Sequence, residues 1–136
     1  MPEPRPIADG LFRITPDGPR LLAARCDGCG KLHFPASESC PYCGGASCHE
    51  AALAGTGLLF LYTVVKSAPP GYRGPLPYGF GIVELPEGLR VVTRLTEPDA
   101  ARLRRGQAMR LVVEPLFNDD DGTPVLSYAF APGGSA

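Results

Sequence analysis

At 136 residues the chain suits one domain, or a small domain with an appendage, and 44% apolar residues mark it as globular rather than disordered. Its formal charge of -1 gives no global pull toward nucleic acid or anionic lipid, and no stretch reaches the roughly 20 apolar residues of a membrane helix. No apolar run follows the charges of Met1–Arg5, so no export signal is read, the expected compartment is the cytoplasm, and five cysteines there argue against a disulfide framework.

Residues 1–20, rich in Pro, Gly and charge, read as an N-terminal arm with one short strand near Leu11-Phe12. Residues 21–50 hold all five cysteines and too little apolar mass for a core of their own, so a metal must supply the folding energy. Residues 51–136 read as a second, β-rich unit. Its first strand runs from Gly57 to Lys66, its second from Tyr78 to Leu85 and its third from Leu89 to Thr96, with Pro86-Glu87-Gly88 as a tight turn.

Between the third and fourth strands, Pro98 to Gly106 carries the signals of a short helix: Pro and Asp in the first turn, three later arginines, and a closing Gly. Met109 to Glu114 and Val125 to Phe130 follow as strands, joined through Asp119-Asp120-Asp121-Gly122. Three strands, a short helix and two strands is the element order of a five-stranded OB barrel. Alternation assigns Leu89, Val91, Thr93 and Leu95 to the inner face, with Arg90 and Arg94 outside. The first strand is apolar on both faces, with Leu59, Leu61 and Val65 on one and Leu58, Phe60, Tyr62 and Val64 on the other. The outer face needs cover, either from the N-terminal arm or zinc module, or from a partner protein. Gly79 and Gly81 share a face of the second strand, where either barrel coiling or a closely approaching ligand would require them.

Cys26-Asp27-Gly28-Cys29-Gly30 and Cys40-Pro41-Tyr42-Cys43-Gly44 are two matched knuckles. Each spacing lets the backbone curl so that two sulfurs face one ion, and Gly30 and Gly44 supply the positive φ such a curl needs. Cys26, Cys29, Cys40 and Cys43 make a closed tetrahedral thiolate site of the structural kind, expected to hold zinc, with iron the alternative. Cys48, His49 and His33 are read as bystanders. There is no G-x-S-x-G, no H-E-x-x-H and no phosphate-binding loop, so a self-sufficient enzyme is not expected.

One reading of the barrel is a stand-alone OB module binding single-stranded nucleic acid, with Tyr62, Tyr72, Tyr78 and Phe80 as stacking platforms. Residues 55–136 carry eight Lys/Arg and eight Asp/Glu, however, and such a binder needs a basic excess.

The motif order resembles the acyl-CoA-associated family catalogued as domain-of-unknown-function family thirty-five, with a rubredoxin-like zinc ribbon before an OB fold. The matching residues are Pro19-Arg20-Leu21-Leu22, the two knuckles, Phe34-Pro35, Gly55-Thr56-Gly57, Tyr62-Thr63-Val64-Val65, Pro77-Tyr78 and Val83 to Gly88. Relatives often open with a helix bearing a Phe-Trp pair, whereas Asp9 to Ile14 here reads as a strand and the chain has no Trp. The resemblance implies a non-catalytic accessory subunit that holds a thiolase-like partner in a hetero-oligomer and helps seat CoA, without nucleic acid or membrane. CoA needs cations and a flat apolar surface. The loop after the first strand offers Lys66, Tyr72, Arg73 and Tyr78, stiffened by four prolines.

Overall fold

The alternating runs fold as strands in a computed structural model that describes residues 3–133. In chain order they are β1 Arg5–Pro6, β2 Phe12–Thr15, β3 Gly18–Cys26, β4 Leu32–His33, β5 Cys48–Ala52, β6 Thr56–Val65, β7 Tyr78–Glu84, β8 Arg90–Leu95, β9 Ala108–Asn118 and β10 Pro124–Pro132. β7 pairs antiparallel with β6 and β8, and β9 pairs antiparallel with β6 and β10. β10 meets β8 in parallel at Phe130 and Leu95, which closes the circuit β6–β7–β8–β10–β9 into a five-stranded OB barrel. Leu59, Val83, Val91, Leu95, Met109, Leu111 and Phe130 fill it.

Gly79 and Gly81 face inward. A methyl group at Gly81 would collide with the Leu61 carbonyl oxygen, and one at Gly79 would lie 2.5 Å from the Glu97 carbonyl oxygen, so the backbones themselves are the close neighbours.

Three expectations are corrected. The helix from Pro98 to Gly106 shrinks to one 3₁₀ turn, Ala100–Arg102, with the Asp99 carboxylate accepting the Ala101 N–H at 2.9 Å. Leu103 is already extended and buried in the core; so short a segment, pinned there, cannot offset helix nucleation. Leu61 does not share the inner face with Leu59. β6 carries a bulge in which Leu59 opposes Val83 and Leu61 opposes Ile82, leaving Phe60 unmatched, and the extra residue turns Leu61 outward. The N-terminal arm does not lie over the outer face of β6: β1 adds in parallel to β10, and β2 forms a hairpin with β3.

The other sheet is built on β3, which pairs along its length with β2, β4 and β5. Leu21 and Ala23 from β3, and Leu53 just beyond β5, belong to the same buried cluster as the barrel residues. The cysteine-bearing segment, which lacks apolar mass of its own, thus shares the barrel's core.

Candidate functional site

The local sequence at each knuckle dictates its shape. In the first, the Gly30 N–H donates to the Cys26 carbonyl at 2.8 Å; in the second, the Gly44 N–H donates to the Cys40 carbonyl at 2.9 Å. Gly30 and Gly44 sit at φ 74° and 76°, the left-handed region a Cβ disfavours. The curl aims further amides at sulfur: Gly28 to Cys26 Sγ at 3.3 Å, Tyr42 to Cys40 Sγ at 3.4 Å and Gly45 to Cys43 Sγ at 3.4 Å. All four sulfurs converge within 4.8 Å of one another, with Cys26–Cys43 at 3.5 Å and Cys29–Cys40 at 3.6 Å. Zinc bound at about 2.3 Å by a tetrahedron of thiolates needs sulfurs about 3.8 Å apart, so the donor set fits the ion in number, kind and spacing.

The titration of these thiols points the same way. Backbone N–H donation, led by Cys29, pushes Cys26 down to about 6. At Cys43 the Gly45 N–H acts to lower the pKa, yet the neighbouring sulfurs of Cys26, Cys29 and Cys40 together push it up to about 12. Four crowded acids cannot all carry charge unless a cation lies among them.

Cys48, His49 and His33 lie beside the four-sulfur cluster. Cys48 faces Cys26 across the β3–β5 ladder, outside the four-sulfur cluster, and burial raises its thiol pKa. His49 pairs with Asp27 at 2.7 Å. His33 is buried in β4, its Nε2 accepting the Ser37 N–H at 3.1 Å. The Ser37 hydroxyl also lies 3.0 Å from that nitrogen but donates to the Ser39 carbonyl at 2.6 Å, and no partner among the described residues orients His33 Nδ1. This contact lacks the oriented free base of a nucleophilic site.

The loop residues separate into two groups. Tyr72 and Tyr78 come together, ring centroids 4.7 Å apart, with the Tyr72 hydroxyl donating to the Pro75 carbonyl at 2.7 Å. Phe80 adds an edge contact to Tyr78 at 6.5 Å. Arg73 points to the β9–β10 turn, where it pairs with Asp119 at 3.6 Å and Asp120 at 3.4 Å and lies 4.5 Å over the Phe117 ring. Lys66 is exposed at the end of β6 and forms no ion pair among the described residues.

Sequence reading named Phe60 on the outer face but missed what covers it: its ring carries the Arg90 guanidinium at 3.9 Å and that of Arg105 at 4.9 Å. It also missed the Arg94–Glu114 pair, largely sheltered on the outer face. Both depend on strand register, for which single-strand alternation carries no signal. No helix among the described residues is long and apolar enough to cross a membrane.

Residues 17–47 match the rubredoxin-like zinc ribbon domain of ChsH2, and residues 50–114 match the ChsH2 C-terminal OB-fold domain. A DUF35 domain-containing scaffold protein of Pyrococcus furiosus is 31% identical over 114 residues, 83% of each chain. A protein of Thauera aromatica named benzoylsuccinyl-CoA thiolase subunit BbsA is 33% identical over 122 residues, covering 88% of this chain and 83% of its own length. Among solved structures, a chain of the Ltp2-ChsH2(DUF35) aldolase superposes with a TM-score of 0.64 at 30% identity, covering 83% of this chain and 84% of that one.

Proposed function

This chain belongs to the ChsH2 family, in which a rubredoxin-like zinc ribbon precedes an OB fold, and from that membership we propose that it is a non-catalytic accessory subunit of an acyl-CoA-processing enzyme complex, with a thiolase-like partner. The observation that carries the reading is the 33% identity, over 88% of the chain, to a benzoylsuccinyl-CoA thiolase subunit. The engaged states of His33 and His49 agree with it, since neither is a free base beside a nucleophile. The closed four-sulfur centre leaves no position for a reacting water, so zinc there would fix the fold rather than react. In this reading the partner supplies the chemistry, while the chain contributes a rigid barrel and its exposed loops.

CoA would lie against the loop between β6 and β7, with the Tyr72–Tyr78 rings as the flat surface and Lys66 as the free cation. A ligand phosphate would have to displace Asp119 and Asp120 to reach Arg73. Co-expression with each thiolase-type enzyme of the source organism should therefore yield a complex of fixed stoichiometry on size exclusion. Calorimetry with CoA on that complex should lose more affinity for Lys66→Ala than for Arg73→Ala. No complex with any of these enzymes would reject the accessory role; unchanged CoA affinity in both variants would reject only the loop as the CoA seat.

A further inference from the structure

The bulge in β6 has built a surface that regular alternation would not. Residues directly opposite across a ladder point to the same side of the sheet. Leu61 opposes Ile82, which opposes Val92, so the bulge completes an aliphatic row across three strands. Leu61 and Val92 are 52% and 55% exposed. On one side of the row lies Leu58–Glu84–Arg90, and on the other Thr63–Phe80–Arg94. The row forms the floor of a shallow trough of about 320 Å³ that Tyr62 and Phe80 also line. A single exposed leucine needs no explanation, but a contiguous aliphatic row does, and a bulge that re-aims a side chain is a feature associated with function.

The charges around the row choose its occupant. Arg90 is paired with Glu84, and Arg94 with Glu114. Arg105 is held against Phe60, the bulged residue, and forms no ion pair among the described residues. Three guanidiniums against two carboxylates leave a cationic surplus at the edge. A second copy of this chain on the same face would set two such surpluses together, which disfavours self-association. An apolar segment flanked by carboxylates fits both the row and its edge.

We infer that the Leu61–Ile82–Val92 row is the docking surface for the partner enzyme, receiving an apolar anchor bordered by acidic side chains. This rests on the accessory-subunit reading and adds to it the face, the anchor and the sign of the partner's charge. Buried aromatic and arginine groups around an apolar centre are the composition of interface hot spots.

The test uses the zinc-loaded full chain and the thiolase-type enzyme with which it co-purifies, with affinity read by interferometry. Leu61→Asp combined with Val92→Asp should weaken the complex at least 100-fold, while Ile14→Asp, at a still more exposed site on β2, should leave it unchanged. Arg105→Glu should slow association about 10-fold at low salt and flatten its salt dependence. Circular dichroism and zinc content should match those of the unaltered chain; if the aspartates disturb folding, the milder Leu61→Ser with Val92→Ser must show the same ordering. A complex that tolerates the double variants within threefold overturns the docking surface and leaves the accessory role standing. No complex with the unaltered chain overturns both. A free chain that self-associates, and ceases to do so in the double variant, assigns the row to a second copy and overturns the partner proposal.

Discussion

Cys26→Ser or Cys43→Ser is expected to abolish tight metal binding and unfold the knuckles together with β4 and β5. The segment they organise has few apolar residues of its own, so metal-binding free energy there is folding free energy, on the order of 10 kcal/mol or more for a complete thiolate site. Acid should act in the same direction. Metal binding must expel the proton that the neighbouring sulfurs hold on Cys43, whose pKa is pushed up to about 12. Protons therefore compete with the ion, affinity falls as pH falls, and binding at neutral pH releases protons. Titration calorimetry in buffers of different ionisation enthalpy measures that release, and elemental analysis of the serine variants measures the loss of metal. Full zinc content and an unchanged fold in either variant would contradict this account of the centre.

Leu21→Ala is expected to cost about 2–5 kcal/mol, because a fully buried leucine leaves a cavity that its neighbours fill only in part. Against a typical domain stability of roughly 5–15 kcal/mol this is a large fraction. The informative part is where the loss appears. Leu21 lies on β3, in the cysteine-bearing sheet, yet it packs in one cluster with Leu59, Val83 and Phe130 of the barrel. In a Tyr42→Phe background, where the remaining tyrosines (Tyr62, Tyr72, Tyr78 and Tyr128) lie in the barrel or its β6–β7 loop, thermal unfolding followed by tyrosine near-ultraviolet signal and by zinc release should shift together. A barrel transition that stays in place while the zinc sheet loosens would show two separate cores.

The metal centre was legible because its information is local: two C-x-x-C spacings, each followed by glycine, specify a knuckle whatever surrounds them. The barrel was legible because alternation in Val91-Thr93-Leu95 and Met109-Leu111 names an inner face and element order names the topology. What escaped was non-local or depended on a single inserted residue. Nothing in Leu58-Leu59-Phe60-Leu61-Tyr62 marks Phe60 as the bulge, since every residue there is apolar and either register buries a leucine. The consequences of that bulge, an outward Leu61 and a Phe60 covered by Arg90 and Arg105, were hidden with it. The helix from Pro98 was over-read because its end signals are genuine, while the apolar face that would stabilise more than one turn is missing. Arg73 looked available for a phosphate because its carboxylate partners lie more than forty positions away in sequence.

The central claim, that the chain serves an acyl-CoA enzyme without performing chemistry itself, is tested most directly by titrating it into the proposed thiolase-type partner while following acyl-CoA turnover. The account predicts no turnover by the zinc-loaded chain alone, and a rate that rises with added chain and saturates at a fixed ratio. Turnover by the chain alone, or a partner rate indifferent to its addition, would contradict it.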